Sequence, residues 1–502
     1  MENKQVKYGA VLSYILILIN TFYGLFVNPY ILRIVGMADF GVYKTMSSFT
    51  AAFMVLDLGL GGTTMRYIAR FRADKQEDKI SNYCAMSLMQ AGVIVCVVAM
   101  CMICAYFSLD SLYGSSLTAD ELVKGKVIYI VLVINMCIHI IENVFSGIIT
   151  GYNRFLFSNG TKMIRLIVRI LCNIILIAIT KNIIVIVLAD LVLTMLLIFV
   201  DYIYIRKKIG LHIKYTSWDK KIFAESFRYT ILMFLTMVVN QINGNLDNVA
   251  IGATLGAESV AIYSYGLLIF GMFQQISCSI SGVMLPTVTN ILVNDDNDYT
   301  KTKDTIVNVG RIQFLLLGAA MCGFFVVGKD FIKVWLGNGF EDVYYIVLIL
   351  IVPAMLELCV NTCLAVLRAK NMIGFKTVAE VGMAVINLVI TIGGLILFKN
   401  YYAAATGTAI SIFIGSVVAM GIYYYKMLRF NMLGIYTRIF KKIWLCIIIS
   451  GAGAYVVTLF VSNAVLRLFG AITVFIIIYA VTLMMFGLNN NEKNEILKVL
   501  KK

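Results

Sequence analysis

Charged residues, proline and histidine are scarce in this 502-residue chain. Only 14% of the residues are charged and 61% are hydrophobic, well above the roughly 45–50% typical of soluble domains. There are 3 prolines, and no stretch rich in proline, glycine or serine divides the chain, which excludes a separate soluble domain on a linker. With 2 histidines, a histidine-rich metal centre is excluded. A soluble core could not bury this much apolar surface, so a soluble globular protein is excluded as well.

The 11 cysteines do not suggest a disulfide framework. Most lie inside apolar runs, as Cys96, Cys137 and Cys322 do. Disulfide frameworks are typical of short secreted chains, so we interpret these cysteines as small apolar side chains. The first apolar run starts near Tyr8 and has no small-residue cleavage site behind it. We therefore expect it to remain as the first membrane span.

About fourteen apolar stretches follow one another, each close to the roughly 20 residues that a membrane-spanning helix needs. This pattern predicts an all-α polytopic membrane protein. With both termini in the cytoplasm, the densest group of lysines and arginines, at residues 206–221, also lies inside, as the positive-inside rule requires. The net charge of +15 then reflects this bias and the attraction of anionic inner-leaflet lipids. We expect no binding of nucleic acid.

A short motif between the first two spans recurs after the seventh. Gly36 precedes Tyr43 by seven residues with Asp39 between them, and Gly256 precedes Tyr263 in the same way with Glu258 between them. Repeats with an even number of spans are parallel, so two parallel six-helix lobes are predicted. The predicted divisions are an N-lobe at 1–205, a C-lobe at 206–427, two additional spans at 428–488 and a cytoplasmic amphipathic tail at 489–502.

Ionisable and amide side chains at membrane depth are the best candidates for function, because a charge at the bilayer centre costs about 2.5–3.5 kcal/mol even on a lenient scale. Structural ion pairs explain the acidic residues equally well, and snorkelling to the interface explains Arg66. A buried amide ladder between helices is an equal alternative for the asparagines. The candidates are Asp57, Glu142, Asp247 and Glu357 for ion coupling, and Arg66, Arg169, Arg311, Asn240 and Asn243 for substrate binding.

Several blocks of the sequence resemble the bacterial polysaccharide-biosynthesis flippases. The first block begins at Asn28-Pro29 and continues through Phe40-Gly41-Val-Tyr43 to Leu56-Asp57-Leu-Gly59. Later blocks are Leu246-Asp247-Asn248, Val334-Trp335-Leu336-Gly337 and Leu367-Arg368-Ala369-Lys370. The superfamily contains O-antigen and capsule flippases, lipid II flippases and multidrug exporters. The resemblance implies a V-shaped pair of six-helix lobes around a central cleft, with the last two helices appended.

The resemblance also implies a substrate and a direction. Flippases of this kind move undecaprenyl-pyrophosphate-linked oligosaccharides from the cytoplasmic to the outer leaflet of the bacterial plasma membrane by alternating access, for O-antigen, capsule or exopolysaccharide synthesis. Guanidinium groups bind phosphate oxygens bidentately, which suits Arg66, Arg169 and Arg311 to the pyrophosphate, while amides suit sugar hydroxyls. Coupling to H⁺ or Na⁺, contact with membrane lipids and cooperation with a polysaccharide polymerase are further expectations.

Two alternatives remain open from the sequence. An ion-coupled multidrug antiporter of the same superfamily would need acidic residues but no arginines. A membrane polymerase or glycosyltransferase would need a substantial loop outside the membrane, and the loops are short. The segment from Gly323 to Lys329 spaces its residues like a phosphate-binding loop, but Asp330 follows instead of serine or threonine, and Cys101 and Cys104 lack partner ligands. We therefore expect no enzyme activity and no cofactor.

Overall fold

The computed structural model describes residues 12, 15–57, 59–216, 241, 244–294, 299–370, 372, 374–489 and 492–493. Within these ranges almost every residue is helical and no β-strand occurs. Twelve of the described helices are long and apolar enough to cross a membrane. The prediction of an all-α polytopic membrane protein is confirmed.

The chain divides into two compact units, an N-unit at Met1–Ala261 and a C-unit at Ile262–Lys502. In the N-unit, α5 is central and packs against α2, α3, α4, α6 and α7. Its interior therefore depends on residues that α5 presents to its five neighbours. The helices are α1 (Ile15–Val35), α2 (Met37–Ala52), α3 (Leu60–Ala73), α4 (Glu77–Tyr113), α5 (Ala119–Gly151), α6 (Phe155–Thr180), α7 (Ile183–Tyr204) and α8 (244–255).

In the C-unit the long helix α10 has the corresponding central position, packing against α11, α15, α16 and α17. The helix α9 begins in the N-unit and continues into this one. The helices are α9 (Ala257–Asn294), α10 (Thr300–Trp335), α11 (Asp342–Cys359), α12 (Cys363–Ala369), α13 (Gly374–Phe398), α14 (Tyr402–Leu428), α15 (Met432–Phe440), α16 (Ile443–Phe460) and α17 (Ala464–Gly487).

Twelve of the fourteen predicted spans are found among the described residues, and the count of fourteen is not confirmed. The second predicted span, at 44–69, is interrupted, because α2 ends at Ala52 and α3 begins at Leu60 after a 3₁₀ turn, Phe53–Asp57. The seventh, at 223–251, falls largely outside the described residues. The other twelve predicted spans each correspond to one apolar helix. The predicted tail at 489–502 is described only in part, and Glu492 and Lys493 are helical.

The two glycines of the repeated motif have the same backbone conformation. Gly36 has φ +86° and alone separates α1 from α2, and Gly256 has φ +87° and alone separates α8 from α9. Residues with a Cβ rarely adopt such a positive φ, which explains glycine at both joints. The recurrence noticed in the sequence therefore corresponds to a recurrence in local structure.

Candidate functional site

Asp57 lies at the interruption of the second predicted span. It ends the 3₁₀ turn, and Gly59, with φ +65°, leads into α3. Glycine has a low helix propensity and adopts this left-handed conformation without strain, so the sequence Gly59-Leu-Gly61-Gly62 favours a break here. In transporters, discontinuous helices place polar backbone and side chains at ligand sites. The sequence predicts a continuous second span with Asp57 near its middle. In the structure Asp57 instead lies beside a helix discontinuity.

The close crossing of α3 and α5 brings Asn143 to Asp57. A Cβ on Gly61 would lie 2.7 Å from the carbonyl oxygen of Asn143, and a Cβ on Gly147 would lie 2.5 Å from that of Gly61. Glycine at both positions therefore allows the two helices to approach this closely. At the crossing, Asn143 Nδ2 donates a hydrogen bond of 3.1 Å to Asp57 Oδ2.

Three carboxylates, Asp57, Glu142 and Asp201, form what we call the acidic cluster. Glu142 is only 2% exposed and interacts electrostatically with both of the others. His139 Nε2 lies 3.6 Å from Glu142 Oε2, and Asn143 Nδ2 lies 3.3 Å from His139 Nδ1. One oxygen of each carboxylate has no hydrogen-bond partner within the described residues. Such oxygens can accept a proton or coordinate a cation.

Three cations, Lys44, Arg165 and Arg169, form what we call the basic cluster, where α2, α6 and α7 meet. Arg169 lies near the middle of α6 and pairs with Asp190 at 2.5 Å, while Arg165 donates a hydrogen bond of 2.7 Å to Thr194 Oγ1. Lys44 interacts electrostatically with Arg169. Asp190 pairs with Arg169, and Glu142 of the acidic cluster interacts electrostatically with Arg165. Three cations therefore face two carboxylates, and the basic cluster keeps an excess positive charge.

Aromatic and amide groups complete the surroundings of Arg169. Its guanidinium lies 5.1 Å from the centre of the Tyr23 ring, and Asn173 donates a hydrogen bond of 2.9 Å to Tyr23 Oη. The side chain of Arg169 is 28% exposed, and Arg169 Nε and Asp190 Oδ1 have no partner within the described residues. The guanidinium therefore has hydrogen-bonding capacity left for a ligand.

Arg311 is placed very differently from Arg169. It is 3% exposed, and its Nε and Nη2 donate to the two carboxylate oxygens of Glu492 at 2.7 and 3.1 Å. It also donates to the backbone carbonyl groups of Gly487, Arg438 and Lys441. All its donor groups are used in holding α15, α17 and the residues after α17 to α10. We therefore leave Arg311 out of the proposed substrate path.

Glu357 lies one turn before a second helix break, between α11 and α12. Its nearest polar neighbours are Lys376 and Ser416, and Lys376 pairs with Glu380 at 2.7 Å. A cavity of about 30 Å³ adjoins this group, room for about one water molecule. The remaining candidates are dispersed: Asp247 is buried in α8, Arg66 is exposed on α3, and Asn240 and Asn243 lie outside the described residues.

Sequence reasoning missed four charged residues of these clusters. Asp190 and Asp201 lie in the very apolar run of the sixth span, where a carboxylate is costly, and that signal could have identified them. Lys44 lies at the predicted boundary of the second span. Arg165 is predicted from the sequence to lie near the inner membrane interface. Among the described residues, no group of three or more histidine, cysteine, aspartate or glutamate side chains could hold a metal ion.

The fold resembles those of several solved membrane transporters. The lipid II flippase MurJ in an inward closed conformation matches with a TM-score of 0.72 and 15% identity, over 95% of this chain and 97% of that one. An inward-facing multidrug resistance MATE family transporter of the MOP superfamily matches with a TM-score of 0.64 and 14% identity, over 82% and 96%. A MOP superfamily transporter from Pyrococcus furiosus matches with 0.56 and 16%, over 87% and 97%. At these identities the likeness shows a shared fold.

The sequence comparisons identify the family. No curated protein matches the chain significantly. The family model for polysaccharide biosynthesis proteins matches residues 7–292, which is more than half of the chain and includes both clusters of the N-unit. The chain therefore belongs to the polysaccharide biosynthesis protein family.

Proposed function

We propose that this protein flips an undecaprenyl-pyrophosphate-linked oligosaccharide from the cytoplasmic to the outer leaflet of the bacterial plasma membrane by alternating access. The basic cluster of the N-unit is the observation that carries this proposal. Among the described residues, these three cations interact with two carboxylates, Asp190 and Glu142, and the remaining positive charge at membrane depth is costly unless an anion binds there. A pyrophosphate linked to sugars is the anion expected in a polysaccharide biosynthesis family. O-antigen, capsule or exopolysaccharide synthesis is the pathway served.

Arg169 is the proposed ligand of the pyrophosphate. Its unused Nε, together with the Nη2 that now pairs with Asp190, offers the two parallel hydrogen bonds that guanidinium groups make to phosphate oxygens. The phosphate would exchange with Asp190, so binding would replace one charge-assisted contact with another. Tyr23 and Asn173 offer a hydroxyl and an amide to sugar hydroxyls, while the polyprenyl chain stays in the bilayer.

The membrane potential can bias this transport outward. An inside-negative potential drives negative charge outward. Moving the two negative charges of a pyrophosphate out of a cell across 100 mV therefore releases roughly 5 kcal/mol, at about 2.3 kcal/mol per charge. The acidic cluster is the proposed site of an additional coupling ion, H⁺ or Na⁺, because Asp57 and Glu142 each have an unpartnered oxygen. Asp247 and Glu357 remain secondary proposals for the same role.

The test is reconstitution of the purified protein in liposomes with a lipid-linked oligosaccharide, measuring its arrival in the far leaflet. Lys44→Gln removes one charge of the basic cluster and should slow transport at least tenfold, within the 1.5–3 kcal/mol range of hydrogen bonds to charged groups. Lys126→Gln is the matched control, since Lys126 pairs with Asp110 in the same unit but outside the cluster. Equal rates for the wild type and Lys44→Gln would refute the assignment of this cluster.

A multidrug or cation antiporter is the second candidate function, favoured by the acidic cluster. Such a transporter would bind organic cations at Asp57 and Glu142 and would have no use for Arg169. Arg169→Glu should then spare drug efflux, whereas it should abolish flipping of a pyrophosphate lipid. Drug transport that survives this variant, with no flipping by the wild type, would favour the antiporter.

A further inference from the structure

A large cavity lies in the C-unit. Its volume is about 650 Å³, within the roughly 300–1,000 Å³ range of small-molecule sites. It is bounded by α10, α11, α16 and α17. The residues that line the cavity include Cys322, Phe325, Val326, Lys329, Asp330, Ile448, Ala452, Thr458 and Arg467.

One end of the cavity is apolar and closed. Cys322, Val326 and Ile448 line this end, and Gly451 brings α16 against α10 there. A Cβ on Gly451 would lie 2.6 Å from Cys322 Sγ, so the two helices could not approach this closely with a larger residue. Phe325 is 63% exposed, so the cavity opens toward the surface that spanning helices present to lipid.

The other end of the cavity is polar and carries one unpaired positive charge. Arg467 makes two hydrogen bonds to the carboxylate of Asp330, one of them 2.6 Å long, so this pair is neutral. Lys329 donates a hydrogen bond of 2.7 Å to Tyr345 Oη and lies 5.3 Å from the centre of the Tyr344 ring. No carboxylate pairs with Lys329 in the part of the chain that the structure describes.

Two basic residues within α10 are separated by about the thickness of the hydrocarbon layer. Arg311 and Lys329 lie five turns apart on this helix, about 27 Å at 1.5 Å per residue, close to the hydrocarbon thickness of about 30 Å. Glu492, beside Arg311, belongs to the C-terminal segment predicted to be cytoplasmic. By that orientation Lys329 lies at the outer interface, and the apolar end of the cavity extends from there into the hydrocarbon.

We propose that this cavity is a binding site for an anionic glycerophospholipid of the outer leaflet. The phosphate lies beside the ammonium group of Lys329, and one acyl chain fills the apolar end. The unpaired charge favours an anionic over a zwitterionic headgroup, since a basic residue near an anionic lipid surface contributes about 1 kcal/mol. None of the residues that line this cavity belongs to the acidic or the basic cluster, and the proposal does not depend on the identity of the transported substrate.

The experiment measures binding of phosphatidylglycerol and phosphatidylcholine to the full-length purified protein by native mass spectrometry. The wild type should retain phosphatidylglycerol preferentially. Lys329→Gln should weaken phosphatidylglycerol binding about fivefold and leave phosphatidylcholine binding unchanged. Lys333→Gln is the matched control, because Lys333 lies one turn further along the same helix, is exposed and does not line the cavity. It should bind as the wild type does.

A second variant tests the apolar end without changing any charge. Ala452 is exposed to the cavity, so Ala452→Phe should fill it and prevent retention of either lipid while the melting temperature stays unchanged. Retention of phosphatidylglycerol by Ala452→Phe would overturn the proposal, as would equal retention of the two lipids by the wild type. Preferential binding of undecaprenyl phosphate over phosphatidylglycerol would also overturn it, since the cavity would then belong to a polyprenyl path.

Discussion

Arg169 in the N-unit and Arg311 in the C-unit occupy similar places in the sequence, each within an apolar span, but their surroundings differ. Arg169 has one carboxylate partner, two cationic neighbours and an unused donor atom. Arg311 is held by both oxygens of Glu492 and by three backbone carbonyl groups. The two arginines therefore differ in the donor capacity left for a ligand, which is why the proposed substrate path includes Arg169 and leaves out Arg311. One arginine is suited to exchange partners, and the other holds the end of the chain in place.

The largest expected effect is on stability, from Arg311→Ala. Removing one partner of a buried, hydrogen-bonded ion pair typically costs about 3–5 kcal/mol, because the other charge stays buried without a partner. The melting temperature of the purified protein should fall strongly. The fraction that remains folded should flip lipid at the wild-type rate, since Arg311 lies outside the proposed path. A stable Arg311→Ala protein that does not flip lipid would show that Arg311 acts in transport and not in holding the fold together.

The next effect is on transport, from the double variant Arg169→Gln with Asp190→Asn. The pair is replaced by two amides of similar size, so stability should change little, whereas the phosphate loses its charged ligand. A loss of about 1.5–3 kcal/mol corresponds to roughly tenfold to hundredfold slower flipping. Flipping assays and thermal unfolding should be measured on the same sample. A stable double variant that flips lipid at the wild-type rate would show that Arg169 does not bind the phosphate during transport.

The third effect tests the helix crossing that positions Asp57. Gly61→Ala would place a Cβ 2.7 Å from the backbone oxygen of Asn143, so α3 and α5 must move apart. Overpacking of this kind costs about 1–3 kcal/mol and should disturb the hydrogen bond between Asn143 and Asp57. Gly62→Ala is the matched control, because a Cβ there meets nothing within 4 Å. Equal melting temperatures and transport rates for the two variants would contradict this.

The smallest effect is the pH dependence of the ion pair between Arg311 and Glu492 in the C-unit. Burial acts to raise the pKa of Glu492, but hydrogen bonds from the Arg311 guanidinium and the Asn489 backbone N–H outweigh it and lower the pKa below its usual value. A lowered folded-state pKa stabilises the fold above the unfolded pKa of about 4.3, and this stabilisation is lost as the pH falls through the folded value.

Glu492→Gln should therefore lower the melting temperature at pH 7 and have a smaller effect as the pH approaches 3.5. Asp304→Asn, which breaks the exposed pair with Arg438, should change little at either pH. If the difference in melting temperature between Glu492→Gln and the wild type stayed constant with pH, the stabilisation by this ion pair would not depend on the charge of Glu492.

The apolar pattern predicted most of the helices, because a spanning helix is specified by hydropathy that is local in sequence. The break beside Asp57 was not predicted, because hydropathy carries no information on the positive φ of Gly59 that ends the continuous helix. The role of Arg311 could not be predicted, because Glu492 is 181 residues away in the sequence. Pairing between distant residues leaves no periodic signal. Two of the three carboxylates of the acidic cluster, Asp57 and Glu142, were among the predicted candidates, and Asp201, near the end of its span, was not.

The most direct test of the central claim compares two lipids in the same proteoliposomes under an inside-negative potential. One carries its oligosaccharide on a pyrophosphate, and the other carries the same oligosaccharide on an uncharged linkage. If the basic cluster binds the phosphate, the wild type should flip only the pyrophosphate lipid, and the variant Arg169→Gln with Asp190→Asn should flip that lipid at least tenfold more slowly. Equal flipping of both lipids by the wild type would contradict the account.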